Sequence, residues 1–276
     1  MNLLFMVGLL LIVSLGCKKV KTTSETFSGD AAVAEDSQQS ADIIIGPSEP
    51  EVIIEAGDVQ EALLAFASCN EVKEKSPTAK NGVYQLYVGQ GDEQILYQAH
   101  CDLETEGGGW TLVLNYVHEG GTNPDLVVMS DKFPLMGPGL LGTSEAGTEF
   151  FGHASAQLVQ AIPATEVRMY CETSGNPRII HFSTSETACL QYFKTGTGSC
   201  RDIANSFQPL SKHTGNLPED QDALADENQG DFAMTSSTMR SELGNNHWSI
   251  NGNGDWECDD DPDNSQNSTI HRIWIR

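Results

Sequence analysis

Residues 97–113, YQAHCDLETEGGGWTLV, contain two β-prone runs separated by a turn. The runs cover residues 95–101 and 110–117, and both are rich in aromatic and branched aliphatic residues. Residues 107–109 between them are three glycines, which permit a tight turn or the close approach of another backbone segment. The alternation in the second run predicts one shared face for Trp110, Leu112, Leu114 and Tyr116.

The remaining local patterns predict a mixture of strands and short helices. Residues 167–171 and 179–182 flank the turn signal SGNP and predict a β-hairpin. Residues 269–276, TIHRIWIR, predict a terminal strand, whereas Ser155 and Asp58 are candidate N-caps of short helices. Because no βαβ alternation, heptad or repeat is found, the predicted class is α+β with long irregular loops.

The composition excludes several classes of protein. The chain has 276 residues, with 15 Lys or Arg and 39 Asp or Glu, for a net charge of −24. Nucleic acids and anionic membrane surfaces require a basic footprint, so we expect no nucleic-acid partner. The 26 glycines, with 39% hydrophobic and 20% charged residues, are typical of a globular domain rather than a disordered chain or a helical bundle.

The N-terminus has the pattern of an export signal. Residues 1–16 form an apolar run that is too short for a comfortable transmembrane helix, and the end of the run together with Cys17 resembles a bacterial lipobox. We predict a signal peptide over 1–17 with lipidation of Cys17, a flexible tether over 18–58 and a folded domain over 59–276. The expected location is the cell surface, as an outer-membrane lipoprotein touching the membrane only through its lipid anchor, or the secreted state. A plain cleaved signal or a membrane anchor is the alternative.

Several motifs in matching order carry a family resemblance. The segments SCNEV at 68–72, NGVYQL at 81–86 and the CDLETEGGGWT motif at 101–111 resemble the fibrinogen-related domain. This resemblance implies a fibrinogen C-terminal-like α+β fold with a mixed or antiparallel sheet, few short helices and long loops.

Six cysteines remain after Cys17, and an even number in an exported chain indicates disulfide bonds, with fifteen pairings open. The family resemblance implies the pair Cys69–Cys101. For the other four cysteines we favour Cys189–Cys200, which closes a short loop around Gly196 and Gly198. That choice leaves Cys171 to pair with Cys258.

The segment WTLVLNYVHE at 110–119 is similar to the intelectin branch of this family. In that branch the His and the Glu belong to buried calcium sites, so the resemblance implies His118 and Glu119 as candidate ligands. The alternative is a pair at the end of a strand whose polar groups are satisfied by backbone.

The C-terminal third contains a strongly acidic segment. Residues 219–263 hold thirteen Asp or Glu and a single basic residue, Arg240. Carboxylate and amide oxygens suit Ca²⁺, which takes six to eight oxygen ligands. The segment is not an EF-hand, because Trp256 and Pro262 occupy the positions of the turn glycine and of the bidentate glutamate.

The intelectin resemblance offers a template for this segment. It implies that Asn245 or Asn246, together with His247 and then Asp255 or Glu257, surrounds a calcium with open positions for a sugar diol. Asp259 or Asp260 would help to bind a structural calcium, and Trp248 or Trp256 would provide an apolar wall for the sugar. A solvated acidic loop without metal is the alternative.

We therefore predict a non-enzymatic, calcium-dependent binding module that is lectin-like, with Ca²⁺ as cofactor. Its partner would be a glycan or glycoprotein carrying an exposed diol. A protein-recognition or adhesion module of the fibrinogen-related type is one alternative. A glycoside hydrolase that uses two carboxylates is another, although no nucleophile elbow, HExxH motif or phosphate loop is present.

Overall fold

The computed structural model divides the chain into two units, Met1–Glu55 and Ala56–Arg276. The first unit, with the predicted signal peptide, Cys17 and most of the tether, lies outside the described residues. The structure describes residues 65–89, 91–122, 124, 130–137, 139–145, 147–218, 233–235, 247–250, 256–259 and 266–276.

An eight-stranded sheet in the order β1-β2-β3-β10-β5-β6-β7, with β4 beside β3, forms the centre of the second unit. All of its strand pairs are antiparallel. A separate hairpin contains β8 and β9. The strands are β1 (Gly82–Val88), β2 (Ile95–Asp102), β3 (Trp110–His118), β4 (Gly152–His153), β5 (Val167–Thr173), β6 (Ile179–Thr184), β7 (Gln208–Pro209), β8 (His247–Ile250), β9 (Trp256–Asp259) and β10 (Thr269–Ile275).

The helices in the described part of the chain are short and capped by local sequence. The helix α1 (Cys69–Lys75) begins after Ser68, whose Oγ accepts a hydrogen bond from the Glu71 N–H. Ser155 caps α2 (Ala156–Ala161) in the same way through the Leu158 N–H, as predicted. Gly196 ends α3 (Thr187–Thr195) in the left-handed conformation. Single 3₁₀ turns cover Gly91–Glu93, Thr105–Gly107 and Ala204–Ser206.

The predicted α+β class is confirmed, and so are the β5–β6 hairpin and the terminal strand β10. The helix expected after Asp58 mostly precedes the described residues. At its predicted end, Phe66 instead forms a parallel bridge with Leu86, and the first described helix begins at Cys69.

The single face predicted for β3 is wrong because the strand contains a bulge. Ile273 pairs with Leu114 and Trp274 pairs with Leu112, so Val113 is an extra residue in the β3–β10 register. Leu114 and Tyr116 therefore pack in the main core. Trp110 and Leu112 form a smaller cluster with Trp274.

The glycine turn before β3 needs residues without a Cβ at two positions. A Cβ on Gly108 would lie 2.1 Å from the Leu103 carbonyl oxygen, and one on Gly109 would lie 2.6 Å from Asn70 Oδ1. Both residues have positive φ angles, of 77° and 84°. The turn is therefore held against the end of β2 and the helix α1.

All three predicted disulfides are present: Cys69–Cys101, Cys171–Cys258 and Cys189–Cys200. The six half-cystines are fully buried in the main core. Three disulfides are consistent with an oxidising compartment outside the cytosol. No helix within the described part of the chain has the length and apolar character needed to cross a membrane.

Candidate functional site

The β8–β9 hairpin contains the described part of the acidic segment. Its strands pair His247 with Asp259, Trp248 with Cys258, Ser249 with Glu257 and Ile250 with Trp256. This register assigns the predicted ligands to different places along the hairpin. His247 and Asp259 are opposite each other at one end of the hairpin, whereas Glu257 is two residues nearer to the Ile250–Trp256 pair at the other end.

Covalent and polar contacts fix the hairpin to the main sheet. The Cys171–Cys258 disulfide joins β9 to β5, and the indole N–H of Trp248 donates to the Tyr170 carbonyl at 2.8 Å. The Asp259 carboxylate forms an ion pair with Arg178, which precedes β6. The base of the acidic segment is therefore rigidly attached to the core.

Trp256 connects the hairpin to the end of β3. Its ring stacks on the His118 imidazole with 4.4 Å between centroids and an interplanar angle of 8°. The His118 Nδ1 lies 2.7 Å from Glu145 Oε1, and the Thr122 hydroxyl donates to the other oxygen of Glu145 at 2.5 Å. The two regions proposed as calcium sites are thus neighbours in the fold, although they are far apart in the sequence.

A buried histidine, which sequence reasoning did not identify, also lies at this junction. The His271 Nε2 is 2.8 Å from the Glu257 carbonyl oxygen, and its ring packs edge-on against Trp248 at 5.0 Å. Burial lowers the pKa of His271 to about 4, so the imidazole is neutral at pH 7. Its Nε2 is then the protonated nitrogen that donates to Glu257. The signal for it was its place in TIHRIWIR, where alternation puts His271 on the same face as Ile273 and Ile275.

The described candidate ligands do not assemble a complete metal site. Within the described residues, no group of three or more His, Cys, Asp or Glu side chains is arranged to hold an ion. The Asp259 carboxylate is paired with Arg178, and the Glu257 side chain is buried. Glu119 is exposed beside the buried His118. Calcium at this junction would therefore need oxygens from Asn246, Asp255 or Asp260, which lie outside the described residues, as does the side chain of His247.

The structure corrects the role predicted for the two tryptophans. Trp248 is fully buried and Trp256 is 2% exposed, and both belong to the main core. A sugar-stacking wall requires an indole face that is open to solvent. Trp248 and Trp256 instead attach the hairpin to the main core through their buried side chains.

Comparison with known proteins gives a local sequence match. No family model matches the chain. Over 54 residues, the chain is 41% identical to angiopoietin-2 of Canis lupus familiaris and of Homo sapiens. These 54 residues are 20% of this chain. The match spans 10% of the length of these relatives.

Comparison with solved structures gives similarities at low sequence identity. The fibrinogen-like globe domain of human ANGPTL2 has a TM-score of 0.40 at 12% identity, covering 75% of this chain and 98% of that one. The corresponding domain of human ANGPTL6 has a TM-score of 0.37 at 15% identity, covering 76% and 95%. A lamprey fibrin D-dimer in complex with the peptide Gly-His-Arg-Pro-amide has a TM-score of 0.37 at 14% identity, covering 76% and 74%.

Proposed function

We propose that this chain is a ligand-binding module whose C-terminal acidic segment binds Ca²⁺ and, through it, the vicinal hydroxyls of a glycan. The main support for the proposal is the stacking of Trp256 on His118. This contact brings the end of β3 next to the β8–β9 hairpin, and these are the two regions that the intelectin-like motifs associate with calcium. The hairpin that bears the acidic residues is also anchored by Cys258. A bound cation would relieve the repulsion among the thirteen carboxylates of residues 219–263.

Different residues of the chain would position the hairpin, bind calcium and contact the ligand at this site. Trp248, Trp256 and the Cys171–Cys258 bond hold the hairpin base, which would lower the entropy cost of gathering the flanking oxygens around an ion. Asn246, Asp255 and Asp260 would supply oxygen donors, and His247 would contact the ligand. Calcium would supply open coordination positions for two adjacent hydroxyls.

A glycan array probed with and without millimolar calcium tests the proposal. We expect capture of diol-bearing glycans in calcium and loss of capture in EDTA. His247→Ala and Asp260→Asn should abolish capture, whereas Glu186→Gln, which changes an exposed carboxylate at the start of α3, should not. Capture that persists in EDTA would overturn the calcium-dependent mechanism.

Recognition of a protein ligand is a second candidate function. It is favoured by exposed large hydrophobic side chains on the β1–β2 hairpin, among them Val83 at 49%, Tyr87 at 41% and Leu96 at 44%. Apolar surface rimmed by polar residues often marks an interaction site. A calcium-independent protein ligand is the outcome that would favour this candidate.

A further inference from the structure

A cleft opens where the main sheet divides. The strand β2 pairs with β3 only at Cys101–Thr111 and Asp102–Trp110. Further along, β3 pairs with β4 instead, at Leu114–His153 and Asn115–Gly152. Among the described residues, the edge of β2 that faces away from β1 therefore has no strand partner over residues 95–100. An unpaired strand edge is a template for an added strand.

The cleft beside this edge has a volume of about 400 Å³, within the range of ligand pockets. Its apolar lining includes the Tyr97 and Phe133 rings, which pack edge-to-face at 5.8 Å, and Phe151. The far wall is tied together by hydrogen bonds from the Ser130 N–H to the His153 carbonyl and from the Leu135 N–H to the Glu149 carbonyl. An aromatic floor beside an open strand edge suits a peptide better than a flat protein surface.

A second apolar surface lies on the other face of the hairpin from the Tyr97 side chain. Leu96 lines the cleft and is also the cross-strand partner of Tyr87, so both side chains lie on the same face of β1–β2. Val83 is four residues before Tyr87 and lies on that face as well.

The charges at the cleft favour a cationic occupant. Asp131, Glu149 and Lys132 line it, and none of the three forms an ion pair with another described residue. Two carboxylates against one ammonium group give a local excess of negative charge, on a chain with a net charge of −24. A second copy of this chain would bring equal negative charge and would be repelled.

We propose that this cleft binds an extended, basic segment of a partner protein, which adds a strand to the free edge of β2 and packs an apolar side chain on the partly buried Tyr97 at the aromatic end of the cleft. Backbone hydrogen bonds to the strand edge would provide affinity, and the aromatic floor and the carboxylates would provide specificity. The inference rests on the second candidate function and does not involve calcium.

A display library of random dodecapeptides, selected on the full chain in EDTA, tests this site. We expect the selected peptides to carry an aromatic or large aliphatic residue flanked by Lys or Arg. Their affinity should fall by about tenfold or more in Leu96→Lys and in Glu149→Lys, since both changes place positive charge beside the free edge of β2 and the cleft. Leu140→Lys is the matched control, because Leu140 is 66% exposed and does not line the cleft. Thermal unfolding of each variant confirms that the fold is intact.

Strand addition makes a stricter prediction about the peptide. In a strand, alternate residues direct their backbone groups to opposite sides, so N-methylation of one alternate set should abolish binding while the other set is tolerated. Equal binding of the two methylated peptides, or acidic selected sequences, would overturn the proposal. If the selected peptides bind the Leu96→Lys variant as tightly as the wild-type protein, this cleft is not their binding site, although protein recognition elsewhere on the chain would still stand. Failure to select any peptide would reject both this cleft and the second candidate function. If the wild-type protein forms dimers that the Leu96→Lys variant does not form, the strand edge mediates self-association instead.

Discussion

The Arg168 guanidinium and the Asp102 carboxylate form a buried ion pair across the sheet, with 2.8 Å between Nη2 and Oδ2. Arg168 lies on β5 and Asp102 lies at the end of β2, with β3 and β10 between these strands in the sheet order. The guanidinium also lies 3.9 Å from the ring centroid of Trp274 and 4.9 Å from that of Trp110. This pair therefore connects both halves of the sheet on the face opposite the main core.

Asp102→Asn should strongly destabilise the fold, because it leaves the Arg168 charge buried without its partner. Removal of one member of a buried pair typically lowers the free energy of unfolding by about 3–5 kcal/mol. Glu104→Gln, which removes the exposed partner of Lys80, should cost less than about 1 kcal/mol. Urea unfolding at pH 7 compares the two variants, and equal losses would contradict a structural role for the buried pair.

Acid should destabilise the protein in two stages. Burial lowers the pKa values of His181 and His271 to about 4, so between pH 6.5 and 4 the unfolded state binds more protons and stability falls as the pH falls. Burial raises the pKa of Asp102, but the Arg168 charge and hydrogen bonds from Thr105 outweigh this effect and lower it to about 2. The stabilisation from Asp102 is complete above its unfolded value of 3.8 and is lost as the pH falls towards 2.

Urea unfolding from pH 7 to pH 4 measures the first stage. Each histidine contributes a slope of at most about 1.4 kcal/mol per pH unit. His271→Gln should reduce the slope by one such contribution, whatever it does to stability at pH 7. An unchanged slope in this variant would show that His271 does not titrate with folding.

Local pattern predicted the elements of this fold better than it predicted their partners. The strand runs, the Ser155 cap and the disulfide framework depend on nearby residues or on the family resemblance, and they are confirmed. The bulge at Val113 depends on pairing with a strand near the other end of the chain, which alternation within β3 cannot reveal.

The same limit applies to the candidate site. The tryptophans in the acidic segment resembled surface residues because their neighbours are polar, yet tertiary packing places both in the core. The exposed hairpin face beside the cleft does have a signal in the sequence. Val83, Tyr87 and Leu96 are large apolar residues on a face of the β1–β2 hairpin that no other described strand covers. An outward apolar face of this kind indicates interaction only after the core face has been identified.

Alanine substitutions at neighbouring positions of the glycine turn should lower the free energy of unfolding by clearly different amounts. Gly108→Ala places a Cβ 2.1 Å from a backbone carbonyl, so the turn or the end of β2 must move. In Gly107→Ala the nearest atom to the new Cβ is in the flexible Arg276 side chain, at 3.6 Å. The free energy of unfolding should therefore fall only by the cost of placing an alanine in the left-handed conformation, about 1–2 kcal/mol. We expect Gly108→Ala to lose substantially more stability in urea unfolding. Similar losses would show that steric contact with Leu103 is relieved easily.

The three disulfides should differ in both stability and function. In the chain-entropy treatment, removing the Cys171–Cys258 crosslink, which has a sequence separation of 87, lowers stability by about 4.5 kcal/mol. Removing Cys189–Cys200, with a separation of 11, lowers it by about 3 kcal/mol. Paired serine variants measured by urea unfolding test this order.

The functional consequence separates the two crosslinks more clearly than stability does. Cys171→Ser with Cys258→Ser frees the base of the acidic hairpin, so calcium binding measured by isothermal titration should weaken by about tenfold or more at a temperature where the variant stays folded. Cys189→Ser with Cys200→Ser leaves the hairpin attached to β5 and should bind calcium like the wild type. Equal calcium affinity in both variants would mean that the crosslink of the hairpin to β5, the hairpin's one disulfide, is not needed for calcium binding.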